Sequence, residues 1–268
     1  MSDKPSGGSV SQYEWGAGMD KNFYDELAES FHLIFQDWDA SIRYQADVLA
    51  RLLPQPRPDA IVLDCACGIG TQAIGLAMRG FRVEGSDPSA ASIARAIREA
   101  AVRDVSAIFR VDDMRTLSEA GLNRYDAVIA FDNAIPHLQS DDDILDAFSA
   151  MRARLRRGGI ILISLRDYAP LLADRPAGTP PKFYRDRQYR RIVHQIWDWL
   201  DDRRYVVHLF ITCERADQWE TRHFVGLYRA VIPTDIAQFA SRVGFEDCQV
   251  LSPRDTGYYQ PIVRGIAP

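Results

Sequence analysis

Strands and helices alternate from residue 61 to residue 165. That alternation predicts an α/β fold: a doubly wound, mainly parallel, Rossmann-like sheet with helices on both faces. A glycine-rich turn, Gly68-Ile69-Gly70, joins the first strand to the first crossover helix. After Leu165 the pattern changes to β-rich stretches, then one helix and a strand pair. Together these predict seven strands in the main sheet and an inserted antiparallel region that covers it.

The elements follow in order. Residues 22–36 place Phe23, Leu27, Phe31, Ile34 and Phe35 on one helical face. Asp39 reads as the cap of a second helix to about Leu53, buried through Ile42, Ala46, Leu49 and Leu53; the segment Pro54-Gln55-Pro56-Arg57-Pro58 ends it. Ile61–Asp64 is an apolar strand, and Thr71–Arg79 a helix stopped by Gly80. Phe81–Gly85 is the next strand, with Ser89 capping a helix to about Ala101. Ala107–Val111 and Ala127–Ala130 are strands. Ser140 with Asp143 opens a helix expected to run to Gly158-Gly159, before a strand over Ile160–Leu165. Arg190–Trp199, Tyr205–Thr212 and Arg222–Val231 form the antiparallel insert. A helix from about Thr234 to Val243 ends at Gly244, and Phe245–Leu251 with Ile262–Ile266 closes the sheet.

This divides the chain into a Ser/Gly-rich mobile tail over 1–19 and one domain over 20–268. Within the domain are a helical cap (20–58), a cofactor-binding half (59–165), a β-rich insert (166–232) and a closing helix with its strand pair (233–268). The chain has 268 residues, 47% of them hydrophobic and 26% charged, as in ordinary globular proteins. A net charge of −5 provides no basic field for nucleic acid, and no apolar run reaches the roughly 20 residues of a membrane helix. Cys65, Cys67, Cys213 and Cys248 fit no zinc spacing. They read as free thiols in a reducing cytoplasm, and no metal is expected. The tail and the insert each offer a surface for a homo-oligomer.

The glycine turn lets a ligand approach backbone N–H groups at a helix start. Gly68 to Ala73 fits a loose dinucleotide fingerprint, and Asp87 at a strand end suits ribose hydroxyls. These features alone serve NAD and S-adenosylmethionine equally. Three others favour the second ligand. Asp64, at the end of the first strand, suits an ammonium group better than a pyrophosphate. Asp112-Asp113-Met114 ends the third strand, where an acid can accept from an adenine amino group. The β-rich end after five parallel strands is unusual for a dinucleotide half.

With these motifs the sequence resembles the class I S-adenosylmethionine-dependent methyltransferases over about Tyr24 to Ile266. The resemblance rests on Asp64-Cys-Ala-Cys-Gly-Ile-Gly70, Asp87 after Val83, Asp113-Met114-Arg115, Asp126-Ala-Val-Ile-Ala, and Arg156-Arg157-Gly158-Gly159 before Ile-Ile-Leu-Ile. Within that class it most resembles the glycine/sarcosine N-methyltransferase group. Asp132-Asn133-Ala-Ile-Pro-His137-Leu is similar to the group's Gly-Asn-Ser-Phe-Ala-His-Leu, and Ser164-Leu-Arg166-Asp167-Tyr168 to its Asp-His-Arg-Asn-Tyr. Trp38-Asp-Ala-Ser-Ile-Arg43 fits the group's arginine-bearing helix. Asp132 replaces a glycine and Leu165 a histidine, both beside the substrate region.

The resemblance implies methyl transfer from S-adenosylmethionine to a nitrogen of a small amine or amino-acid-like acceptor, leaving S-adenosylhomocysteine. Transfer to carbon or oxygen of a specialised, indole-like or other aromatic metabolite is the alternative. The cofactor set is Ala66, Gly68 and Gly70 for backbone approach, Asp64 for the ammonium, Asp87 for the ribose hydroxyls, and Asp113 and Met114 for the adenine, with Pro88 and Phe131 also at the cofactor. Arg43, by resemblance, pairs with the methionine carboxylate. Arg166 can hold a carboxylate by two hydrogen bonds, and in the resembled group this arginine takes the acceptor's carboxylate. Asn133 and His137 stand where the methyl should point, Asn133 as an amine acceptor and His137 as a base or a packed side chain. Tyr24 and His32 belong to the covering helix, and Tyr168, Tyr228 and Tyr258 line the acceptor pocket. Trp197 and Trp199 are expected to pack rather than cradle a cation.

Overall fold

A computed structural model describes residues 19–55, 59–185, 189–216 and 218–268. Residues 1–18 of the expected tail lie outside the described residues, as does Pro56-Arg57-Pro58. The chain opens with α1 (Met19–Leu27), a 3-10 turn over Phe31–Ile34 and α2 (Trp38–Leu52). Then come β1 (Ile61–Asp64), α3 (Thr71–Met78), β2 (Arg82–Asp87), α4 (Ala90–Val102), β3 (Ile108–Val111), β4 (Tyr125–Ala130), α5 (Asp141–Arg154) and β5 (Leu155–Ser164). A short α6 (Tyr168–Asp174) leads into β6 (Gly178–Arg185), β7 (Arg190–Trp199), β8 (Arg204–Arg215) and β9 (Gln218–Arg229). The chain ends with α7 (Pro233–Arg242), β10 (Glu246–Leu251), α8 (Pro253–Thr256) and β11 (Ile262–Ile266).

The main sheet has seven strands in the order β10-β11-β5-β4-β1-β2-β3. β11 is antiparallel to both β5 and β10, and the other pairs are parallel. The expected fold class is therefore present. The strand order reverses beside β1, where open α/β sheets form a ligand crevice. A separate four-stranded antiparallel sheet has the order β6-β7-β8-β9. The reading found three of its strands but neither β6 nor α6.

The opening helix is not continuous to residue 36. Its backbone groups find partners elsewhere: Ser30 donates its N–H to Leu27 O at 2.7 Å, tightening the last turn. Arg222 donates to Ser30 Oγ at 2.6 Å. Buried Arg191 donates to the carbonyls of Leu33, Phe35 and Gln36. These bonds fasten the opening segment to the second sheet. Asp25 accepts from Ser89 Oγ at 2.6 Å and from Ala91 N–H, fastening α1 to the start of α4.

Two helix boundaries also differ from the reading. Asp37, not Asp39, caps α2 by accepting from Ala40 N–H at 2.8 Å; Asp39 pairs with Arg103. The helix α5 ends at Arg154 because Leu155 already pairs with the fully buried Tyr125 of β4. Residues 156–159 then form an irregularity inside β5, with Gly158 at φ +74° donating to Ala267 O at 2.8 Å.

α2 packs closely on α3 through Gly75. A Cβ there would stand 2.7 Å from Ile42 O and 2.9 Å from Ala46 Cβ. Gly75→Ala gains up to ~1 kcal/mol of helix propensity but forces α2 outward, an overpacking cost of ~1–3 kcal/mol. A lowered Tm with unchanged helix content by circular dichroism is the expected result; a raised Tm would contradict this contact.

Candidate functional site

The site begins where β1 ends. Pairing continues past the strand: Cys65 N–H donates to Ile129 O at 2.9 Å and Cys67 N–H to Ser86 O at 3.0 Å. The chain then turns sharply, with Gly68 at φ +50° and Gly70 at φ +94°. At Gly70 a Cβ would stand 2.8 Å from Ile74 Cδ1; at Gly68 it would meet open space. The bare Gly68 backbone is thus open to a ligand, ahead of the N–H groups that start α3.

Two carboxylates flank the turn. Asp87 accepts from Gly68 N–H at 3.0 Å through Oδ2 and from Ser89 N–H at 2.9 Å through Oδ1. Burial lifts its pKa to about 6 against those two bonds. Each oxygen keeps a second lone pair for a ligand hydroxyl. Asp64 is fully buried. Its Oδ1 accepts a 3.4 Å bond from Ala66 N–H, and its Oδ2 has no hydrogen-bond partner. Burial raises its pKa to about 8, with the charges of Asp87 and Asp132 adding to the rise. A buried oxygen left in this state suits a cationic ligand group.

A narrow cavity of about 100 Å³ runs along the turn, lined by Ala66, Gly68, Asp87, Pro88, Met114 and Phe131, with Tyr24 and His137 over it. A second cavity of about 760 Å³ opens between the opening segment and the antiparallel sheet. Tyr24, Phe31 and Asp132 line both, which puts the junction at those side chains. Tyr24 OH lies 2.9 Å from His137 Nε2, and the His137 ring centroid is 4.2 Å from that of Tyr228.

Asp132 organises the junction. Its Oδ1 accepts from the hydroxyls of Tyr258 and Tyr259. Its Oδ2 accepts from Gln72 Nε2 at 2.9 Å and from Gln45 Nε2 at 3.3 Å. Four donors from three parts of the chain thus hold one carboxylate. Asp132 and Asn133 are both left-handed, at φ +56° and +73°, a strained pair fixed by Ser164, which receives the Asp132 N–H at Oγ and the Asn133 N–H at its carbonyl.

Arg166 forms part of the wall of the large cavity. Its guanidinium donates to Tyr205 OH and Gln195 Oε1, both at 3.4 Å, and lies 5.2 Å from the Trp197 ring centroid. All of these partners are neutral. Desolvation opposes its charge, yet the surrounding Tyr168, Tyr205 and Tyr228 hold its pKa above the usual arginine value. Tyr168 is fully buried, bonded at 2.9 Å to both Asn133 Nδ2 and Tyr205 OH.

Several expected site residues stand elsewhere. Arg43 is exposed on α2 and lines neither cavity, because the face of α2 turned inward carries Ser41, Ile42 and Gln45. Asp113 also lines neither: its carboxylate binds Arg115, which overcomes desolvation and holds its pKa below the ordinary value. Its neighbour Asp112 instead accepts from the backbone N–H groups of Asp113, Ser118 and Glu119. His32 lines a separate surface depression with Trp38 and Arg191. Tyr168 and Tyr258 support the walls rather than line them. The Asn133 carbonyl already accepts from Arg166 N–H at 3.0 Å, leaving it one lone pair. Trp197 and Trp199 do meet cations, the guanidiniums of Arg166 and Arg175. Gln45, Gln72, Tyr205, Gln195 and Tyr259 also belong to this region, with no mark in the sequence pattern. Single polar residues in amphipathic segments give no sequence signal for contacts made across 27 to 213 positions.

Among the described residues, no group of three or more His, Cys, Asp or Glu is placed to hold a metal ion, and no helix is long and apolar enough to cross a membrane. Burial raises the Cys65 and Cys67 thiols well above the usual range.

Residues 62–159 match the family described as "Methyltransferase domain". A glycine/sarcosine N-methyltransferase of Parasynechococcus marenigrum (strain WH8102) is 35% identical over 136 residues, 51% of this chain and 48% of the relative. A dTDP-3-amino-3,6-dideoxy-alpha-D-glucopyranose N,N-dimethyltransferase of Streptomyces fradiae is 30% identical over 148 residues, 55% of this chain and 56% of the relative. The chain thus spans about half the length of the curated relatives it matches. Among solved structures, the CcbJ methyltransferase of Streptomyces caelestis superposes with a TM-score of 0.70 at 19% identity, covering 92% of this chain and 99% of that one. The amino pentose methyltransferase CalS10 of Micromonospora echinaspora gives 0.68 at 21%, covering 87% and 92%. At these identities the likeness is one of fold.

The raised acids predict a pH dependence for the ligand-free protein. Asp64 has an ordinary carboxylate pKa when unfolded and about 8 when folded, so its contribution is complete below pH ~4 and is lost as pH rises through 8. Asp87 acts in the same direction up to about pH 6. Between pH 5 and 8 the folded state should lose on the order of 4 kcal/mol from Asp64, seen as a falling Tm by scanning fluorimetry. Asp64→Asn should flatten that fall; an equally steep fall would place the titration elsewhere.

Proposed function

We propose that the chain, whose residues 62–159 match a methyltransferase-domain family, is a class I S-adenosylmethionine-dependent methyltransferase that methylates a nitrogen of a small, amino-acid-like acceptor bearing an acidic group. The observation that carries the acceptor class is Arg166: a guanidinium set in the wall of the large cavity, its contacts all neutral, next to the junction with the turn. A cation so enclosed calls for an anionic partner, and its planar fork suits a carboxylate.

The residues at the turn fit S-adenosylmethionine. The partnerless Asp64 Oδ2 suits the ammonium, the two Asp87 oxygens suit adjacent ribose hydroxyls, and Pro88, Met114 and Phe131 give apolar walls for a flat base. When bound, this donor supplies a sulfonium-activated methyl group for in-line displacement by a neutral lone pair. The protein's part is placement and exclusion of water. Arg166 orients the acceptor by its acid, and Asn133 keeps one carbonyl lone pair facing the amine. The opening segment, latched through Asp25 and Arg191, covers the junction with Phe31 and Tyr24. The fixed Asp132 charge favours a cationic donor. A second reading, methyl transfer to carbon or oxygen of an aromatic acceptor, draws support from the Tyr24–His137 hydrogen bond, since such an acceptor needs a base.

Calorimetry with S-adenosylhomocysteine and with NAD tests the first half. Micromolar binding of the thioether with no NAD binding is expected, and Asp87→Ala should weaken it at least ~tenfold, in keeping with a lost charge-assisted hydrogen bond. Preference for NAD would remove the proposal. S-adenosylmethionine binding near pH 7 should also release a proton from Asp64, read from the dependence of heat on buffer ionisation enthalpy. For the second half, Arg166→Gln should raise the acceptor KM ~10- to 100-fold with thioether affinity within about twofold. Unaltered acceptor kinetics would leave Arg166 a structural cation.

A further inference from the structure

The larger cavity is oversized for a two-carbon amino acid. At about 760 Å³ it falls among cavities that enclose drug-sized ligands. Arg166, Gln195 and Asn133 are linked at one end: Asn133 Nδ2 reaches Tyr168 OH at 2.9 Å, Tyr168 OH reaches Tyr205 OH at 2.9 Å, and Arg166 donates to Tyr205 OH and to Gln195 Oε1, both at 3.4 Å. The guanidinium is therefore three hydrogen bonds from Asn133 at the junction. That relay places an acid bound by Arg166 at the same end of the cavity as the junction, and an α-amino acid, whose acid and nitrogen are a few bonds apart, fits within that end. The lining as a whole is mostly apolar by area: Phe31, Ile34, Leu171, Tyr184, Val193 and Leu209 contribute to it, alongside the polar Gln36, Thr179, Lys182, His194 and Gln260.

We infer that the acceptor is an α-amino acid, or a compound ending in an α-amino-acid group, whose side chain is bulky and apolar or aromatic. This rests on the N-methylation reading above. Arg166 takes the carboxylate, the nitrogen faces the junction, and the side chain fills the apolar wall. A glycine-sized acceptor would leave most of that wall uncovered and so forgo the apolar burial the wall provides.

The test uses the full chain with methyl-labelled S-adenosylmethionine and mass detection of products. The probes are glycine, sarcosine, L-phenylalanine, L-tryptophan, phenethylamine, tryptamine and a dTDP-linked amino sugar. L-Phenylalanine or L-tryptophan should give a kcat/KM at least tenfold above glycine and above its own decarboxylated amine. Leu171→Trp, which fills the cavity from the partly exposed α6, should cut that value at least tenfold with S-adenosylhomocysteine affinity unchanged. Val193→Phe provides the same test from β7 if the first variant folds poorly. Glycine or sarcosine turned over as well as the large amino acids would overturn the inference and leave N-methylation standing. So would equal turnover of the amines, preference for the amino sugar, or intact S-adenosylhomocysteine binding with no probe methylated. Loss of S-adenosylhomocysteine binding in the native chain would instead overturn the functional reading on which the inference rests.

Discussion

β1 is paired in parallel along both of its edges, with β2 and with β4, and everything at the site depends on that. Parallel pairing puts the carboxyl ends of all three strands at one rim. It therefore gathers Asp64, Asp87 and Asp132, whose chain positions span 68 residues, around one turn. Three buried or half-buried acids so close repel one another, and the structure answers each differently. Asp87 is bonded by backbone N–H groups and Asp132 by four side-chain donors. Only one Asp64 oxygen has a partner, and that bond is long. The site is electrostatically incomplete in a direction that favours a cation.

The second cavity shows the opposite imbalance. There a guanidinium meets the Tyr205 hydroxyl, an amide oxygen and an indole face, with no acid in hydrogen-bond contact among the described residues. The two imbalances meet at Asp132, where the chain leaves β4 through two left-handed residues. Strain at that point persists because Ser164, Gln45, Gln72, Tyr258 and Tyr259 over-determine it. An aspartate where the resembled group has glycine is consistent with this arrangement: glycine would accept the backbone conformation but offer nothing for those donors.

The cover over the junction is held by polar latches rather than by one continuous helix. Arg191 binds three carbonyls of the opening segment, and Asp25 binds the start of α4. Phe23 packs face-on against Gly226 of β9, where a Cβ would stand 3.2 Å from the ring. The second sheet is thereby fixed to the same element that closes the narrow cavity, so the walls of both cavities form one connected structure.

Much of this was legible in the chain itself. Periodicity and capping residues located β1 to β5, and Asp64, Gly68 and Asp87 were identified because strand-end acids and a glycine turn are local features. Met114 and Arg166 follow strand ends and each lines one of the two cavities. What local pattern could not decide was direction and partnership. Arg43 and Gln45 lie on the same helix, and only the packing of Gly75 against Ile42 turns Gln45 inward and Arg43 to solvent. Asp112 and Asp113 are adjacent acids, and loop closure engages the first with backbone and the second with Arg115. The break after α1 follows from Arg191, about 160 residues away. Sequence by itself determined the order of elements and the chemistry of the turn, because those follow from neighbours along the chain. Tertiary structure alone decided which acid oxygen stays without a hydrogen-bond partner and which guanidinium has no acid beside it among the described residues, and it alone set the size of the second cavity, because burial and charge balance are set by residues that meet only on folding.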